Sequence, residues 1–175
     1  YLSGQFGQAI NLDGVDDFVT LPAKVASNLN AVTVSAWINW DGGSAWQRIF
    51  DFGNGTSQYL FLTPSNGSVM RFAVKNGGSE QTLSTTPPAV GQWVHVAVAL
   101  NGSVGTLYVN GSPKATHSSM TIRPSDFNPS QNYIGKSQFS ADPLFDGRID
   151  DFRIYNYALS SSEIAAVYTA SLLPP

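Results

Sequence analysis

Phe145-Asp-Gly-Arg-Ile-Asp-Asp-Phe-Arg-Ile-Tyr-Asn156, near the end of this 175-residue chain, has a counterpart near its start, Phe6-Gly-Gln-Ala-Ile-Asn-Leu-Asp-Gly-Val-Asp-Asp-Phe-Val-Thr-Leu-Pro22. Each carries an Asp-Gly pair, read as a turn, and an Asp-Asp-Phe triplet leading into alternating strand residues. Matching segments at the two ends predict that the termini pair in one sheet. Their carboxylates would then meet at one edge, where they could hold a cation.

The same punctuation recurs between them. Asn-Gly stands at 54, 66, 76, 101 and 110, and Asp-Gly at 13, 41 and 146. These pairs accept the positive φ of tight hairpin turns, so alternating segments between them read as antiparallel strands. The sequons at Asn54, Asn66, Asn101 and Asn110 are read as turn chemistry rather than glycosylation, since the glycine accounts for them. In Val32–Trp40, Val32, Val34, Ala36 and Ile38 share one face, and Thr33, Ser35, Trp37 and Asn39 the other. In Trp93–Leu100 the apolar face is Val94, Val96, Val98 and Leu100. Further strands are predicted at 47–52, 58–63, 69–75, 80–85, 105–110, 132–136 and 148–156. One segment reads as helix, Ser160–Tyr168, where Ser160 and Glu163 have capping-box spacing. The prediction is an all-β, two-sheet antiparallel sandwich with one short C-terminal helix.

Composition narrows the partners. Charged residues make up 12% of the chain, about half the usual quarter, and the net charge is -3. Such a surface suits uncharged, hydrogen-bonding ligands, and the lack of a basic run argues against nucleic acid. There is no cysteine, hence no disulfide framework or thiolate chemistry. No apolar run reaches membrane-spanning length, so no membrane insertion is expected. One domain is expected over 1–170, with 171–175 as the start of a linker or tail. A first residue other than Met suggests a processed protein or a module of a larger one.

Taken together, Phe6–Ala9, Leu12–Val19, Val34–Ile38, Arg48–Gly53, Trp93–Ala97, Leu107–Gly111, Tyr133–Gly135 and Asp146–Ser160 make the chain resemble a laminin-G-like, concanavalin A-type jelly roll. Domains of this kind are appended to bacterial carbohydrate-active enzymes. The resemblance covers nearly the whole chain. It implies two antiparallel sheets with a curved inner surface, and domains that often bind glycans and often hold a structural calcium ion. The fold also serves lectins, hydrolases, lyases and plain spacers, so it leaves function open.

Calcium takes six to eight hard oxygen ligands. The candidates are Asp13, Asp16, Asp17, Asp150 and Asp151, with Asp17 and Asp150 preferred and the Gly14 carbonyl as a supplement. The alternative is that Asp13 and Asp146 are turn residues and the other acids cap loops.

Catalysis finds little support. Glycosidases need two carboxyl groups across a scissile bond, and the only glutamates are Glu80, beside a turn, and Glu163, in the capping box. A lyase-like set could be assembled from His95, Arg48, Arg71 and Tyr59, but His95 is read as a packed, hydrogen-bonded histidine and His117 as a loop residue. For a glycan, sites combine exposed aromatics with polar side chains. Trp46 is the leading stacking residue, following the flexible Asp41-Gly-Gly-Ser-Ala45. Gln47, Arg48, Tyr59, Asn66, Arg71 and Gln138 would supply hydrogen bonds, and for Arg48 an ion pair with Asp51 is the competing account. Trp37, Trp40 and Trp93 are read as packing residues. The function expected is a noncatalytic carbohydrate-binding module that targets a covalently linked, polysaccharide-degrading enzyme to a polysaccharide or oligosaccharide, secreted or on a bacterial cell surface. The alternatives are an adhesion or spacer module and, behind both, a lyase or hydrolase.

Overall fold

In the computed structural model, which describes residues 1–170, the alternating segments become strands in the order the turns dictate. The tail expected at 171–175 lies outside the described residues. The first strands are β1 (Leu2–Ser3), β2 (Gln8–Asp13), β3 (Val19–Leu21), β4 (Val32–Trp40), β5 (Phe50–Gly53), β6 (Gln58–Thr63) and β7 (Met70–Asn76). There follow β8 (Gln81–Thr85), β9 (Trp93–Asn101), β10 (Val104–Val109), β11 (Ser112–His117), β12 (Gln131–Ile134) and β13 (Asp146–Tyr155), then the helix α1 (Ser161–Ala170). Seven strands form one sheet, β1-β2-β13-β4-β9-β10-β11, and six the other, β3-β12-β5-β6-β7-β8. The end segments pair as expected: β13 runs antiparallel to β2 with Asp146 opposite Asp13.

The core lies between the sheets. Val34, Ile38 and Trp40 of β4 and Val96, Val98 and Leu100 of β9 meet Phe50, Phe52, Leu60, Leu62, Phe72 and Val74 from the six-stranded sheet. Full burial of each such side chain contributes about 1.5–3 kcal/mol. Every residue of β4 is buried, on both faces. Its second face is covered by α1, which packs Ile164 against Ala97, Ala99 and Tyr108. There Trp37 stacks on Tyr168 at 5.5 Å and meets Phe6 edge-on at 6.0 Å. The helix begins with the capping box read from the sequence: Ser160 N donates to Glu163 Oε2 at 2.7 Å, and Glu163 N to Ser160 Oγ at 3.3 Å.

Three local readings need correction. Asp146-Gly147 is no turn but the start of β13; Gly147 sits at φ +139, pressed against Asn39 O and Trp40 Cα of the neighbouring strand. The strand expected at 47–52 begins only at Phe50, because Trp46 at φ +73 turns the chain out of the extended path. His117, expected in a loop, ends β11, an edge strand where Pro113 leaves no central ladder bond unmade.

Candidate functional site

With α1 against the seven-stranded sheet, the candidate site lies on the outer face of the six-stranded sheet, whose central residues are themselves buried, with Trp46 and Phe139 packed over them. Strand alternation and register place Asp51, Phe61 and Ala73 in one row across that face, with Tyr59 beside Lys75 and Thr63 beside Arg71. Tyr59, Phe61 and Ala73 form a small apolar cluster separate from the core, joined by Trp46 and Phe139. The loop before β5 delivers Trp46. Gly42 and Gly43 have positive φ, and Trp46 itself stands in the left-handed region. A bulky aromatic there is uncommon and strained by about 1–3 kcal/mol. Its backbone is pinned at both ends: its N–H donates to Ser65 O at 2.8 Å and its carbonyl accepts from Arg48 Nη1.

The result is a cleft of about 190 Å³ lined by Trp46, Arg48, Phe61, Glu80, Phe139 and Asp142. Arg48 is 1% exposed, yet its guanidinium forms part of this lining. It donates to Asp142 Oδ2 at 2.7 Å and lies 3.4 Å from Asp51 Oδ2. Burial pulls the guanidinium pKa down, while the two carboxylates hold it up. Burial pushes the Asp51 carboxyl up to about 7, against the opposing pull of the Gln138 N–H and Arg48. At the far rim Glu80 pairs with Arg71 and accepts the Tyr59 hydroxyl at 2.6 Å. The Tyr59 phenol is raised, first by burial and then by that carboxylate.

The sequence-derived site therefore divides. Trp46 and Arg48 meet in the cleft, and Tyr59 and Arg71 reach its rim through Glu80. Gln47 does not: it points inward, 4% exposed, accepting from Trp40 Nε1 at 2.8 Å and donating to Gly42 O at 2.9 Å. Asn66 caps its own turn, accepting from Val69 N at 3.0 Å. Gln138 is a strut, accepting from Gly55 N and donating to Gln131 O. Phe61, Glu80, Phe139 and Asp142 were missed. Phe61 was visible as the second aromatic on the Tyr59 face of its strand, whereas Phe139 and Asp142 lie in an aperiodic loop. The lyase-like set cannot converge: His95 neighbours Trp37 and Tyr168 under α1, across the sandwich from Arg48, Arg71 and Tyr59.

The acids divide as well. Carboxylate oxygens of Asp13, Asp16 and Asp17 lie within 4.8 Å of one another, all on exposed residues. Asp13 Oδ1 accepts from Val15 N at 2.9 Å, which lowers its pKa. Asp146 nearby is raised by burial and by the carboxylates of Asp41 and Asp13. Asp150 and Asp151 stand apart, four and five residues along β13 from Asp146, or about 13 Å and more at strand rise. Asp150 accepts from Phe6 N at 2.8 Å and Asp151 pairs with Arg153 at 2.7 Å. The single five-carboxylate clasp is thus two separate groups, because the strand carries the second pair away from the edge.

A family model described as the concanavalin A-like lectin/glucanases superfamily matches residues 13–165. Rat usherin is 25% identical over 158 residues, which is 86% of this chain; the chain spans about 3% of the length of that curated relative. Domain 4 of AbnA, a GH43 extracellular arabinanase from Geobacillus stearothermophilus solved with arabinotriose, superposes with a TM-score of 0.73 at 24% identity, covering 94% of this chain and 78% of that one. The CBM40 of the Ruminococcus gnavus IT-sialidase, bound to alpha2,3 sialyllactose, gives 0.75 at 20% identity over 92% and 96%. At these identities the likeness establishes the fold.

Proposed function

We infer that this chain, which belongs to the concanavalin A-like lectin/glucanases superfamily, works as a noncatalytic carbohydrate-binding module. The observation that carries this reading is the cleft itself. Half-buried Trp46 and Phe139 offer apolar edges for the C–H face of a sugar ring over a floor of buried Phe61 and Arg48, and Glu80 and Asp142 border them with acceptor oxygens. Two similar folds were solved with oligosaccharides bound, arabinotriose and sialyllactose, which adds support. Hydrolysis would need two carboxyl groups free to act on the scissile bond. Here Glu80 is held by Arg71 and Tyr59, and Asp142 by Arg48 and Ser137. Binding without turnover follows. In our reading the module is secreted or carried on a bacterial cell surface and keeps a linked polysaccharide-degrading domain near its polymer, gaining from effective concentration. No helix among the described residues is long and apolar enough to cross a membrane.

A structural calcium ion fits Asp13, Asp16 and Asp17, whose clustered hard oxygens are the donor type it takes. When bound it would neutralise the mutual repulsion of that loop. EDTA is expected to lower the melting temperature of the wild type and leave Asp17→Asn unmoved. An equal response from Asp150→Asn alone would move the ion to the other group.

Affinity gel electrophoresis over neutral polysaccharides tests the main reading. Retardation by one polymer class, without product and lost in Trp46→Ala, is expected. Free migration through every gel would overturn it and leave the adhesion or spacer role.

A further inference from the structure

The cleft at Trp46 is small for a ligand site, below the range of about 300–1,000 Å³ usual for such pockets. It does not stand alone. A second cavity of about 330 Å³, lined by Phe18, Lys136 and Leu144 among others, shares Phe139 and Asp142 with the first. We propose that the two form one groove, running from Trp46 past Phe139 to Phe18, and that it takes consecutive residues of a linear, neutral oligosaccharide rather than a single sugar. This rests on the carbohydrate reading above and extends it to chain length.

The second cavity has the composition that reading requires. Phe18 is 39% exposed, with its ring edge-on to Tyr133 at 6.1 Å. Lys136 Nζ lies 3.9 Å from the centre of the Phe18 ring and 5.2 Å from that of Tyr133, and has no ion-pair partner among the described residues. Its N–H groups are free to donate to hydroxyls. Asp16, on the same wall, supplies an acceptor. An apolar platform flanked by one donor and one acceptor repeats the logic of the first cleft. Lys136 faces Asp16 across this wall and Arg48 is paired with Asp142, so neither charge is in marked excess along the groove, which suits a neutral chain.

Calorimetric titration with arabino-, xylo-, gluco- and galacto-oligosaccharide ladders of one to four residues tests this. In the ladder that binds, the trimer is expected to bind about tenfold tighter than the monomer, the worth of one further stacking contact. Phe18→Ala and Lys136→Ala should each lose that gain while keeping the wild-type affinity for the monomer. Lys136→Ala serves as the second probe because Phe18 also packs against Tyr133. Equal wild-type affinity for monomer and trimer, or a gain that survives both substitutions, would overturn the groove. Absence of binding in every ladder would overturn the carbohydrate reading itself, and the groove with it.

Discussion

The guanidinium carbon of Arg48 lies 4.0 Å from the centroid of the Phe61 ring, so the charge of the cleft rests directly on its apolar floor. Trp46 stands on another side, 5.5 Å from the same carbon. A buried cation is costly unless charges and geometry offset its lost hydration. Here Asp51 lies 3.4 Å from Nε, Asp142 lies 2.7 Å from Nη2, and two ring faces add cation–π attraction. The residue that orders the cleft is therefore also one on which local stability depends.

Arg48→Met should destabilise the fold by about 3–5 kcal/mol, since it leaves Asp51 and Asp142 facing a buried apolar chain. Arg48→Lys keeps the charge but loses the planar fork and should fall between Met and wild type. Urea unfolding midpoints measure both. A Met variant as stable as wild type would mean that the ion pairs contribute nothing.

Gln47→Leu separates support from contact. It orphans Trp40 Nε1 and the Gly42 carbonyl, at about 1–3 kcal/mol for each buried group left unpaired. The melting temperature should drop while sugar affinity of the still-folded protein persists at low temperature. Lost binding with unchanged melting would return Gln47 to the ligand.

His95 and Asp51 make opposite demands on pH. Burial pushes His95 down to about 4, so the folded state binds fewer protons than the unfolded one between about 4 and 6.5. Its stability is present above 6.5 and lost as pH falls toward 4, on the order of 3 kcal/mol. Asp51 is raised to about 7, so its contribution is full below about 3.9 and lost as pH rises to 7. Relative to wild type, His95→Phe should gain stability on acidification across this window, and Asp51→Asn should lose it. Parallel pH profiles for all three proteins would show that neither group titrates as stated.

Gly147→Ala should destabilise by about 3 kcal/mol or more, because the new Cβ meets Asn39 O and the backbone sits at φ +139. Gly78→Ala, with no atom within 4 Å of its Cβ, is the matched control. Similar losses at the two positions would refute the close packing of β13 on β4.

Gly147 also shows where reading the sequence succeeded and where it stopped. The paired end segments correctly joined β2 to β13, because alternation and matched length fix which strands can pair. The same glycine was taken for a turn residue, since a dipeptide cannot reveal that a neighbouring strand passes within van der Waals range. Trp46 and Arg48 were placed side by side because a flexible, polar loop ending in Trp-Gln-Arg is poor core, yet Arg48 is 1% exposed and the ion pair with Asp51 weighed against ligand contact is present. Gln47 between them was misassigned: its burial follows from the left-handed turn at Trp46, which reverses the expected alternation. Phe139 and Asp142 were invisible, as neither periodicity nor spacing links residues 137–144 to β6. The acids were counted correctly but grouped wrongly, because a count ignores the rise per residue along β13.

The N-terminal strand β1 edges the seven-stranded sheet, and α1 lies across the outside of that same sheet. Both ends of the described chain thus belong to the seven-stranded sheet and its helix, and Trp46 to the loop before β5 of the other sheet. A tether or solid support attached at either end would be anchored to the sheet opposite the groove, and the module could be immobilised there without using the residues that line the cleft.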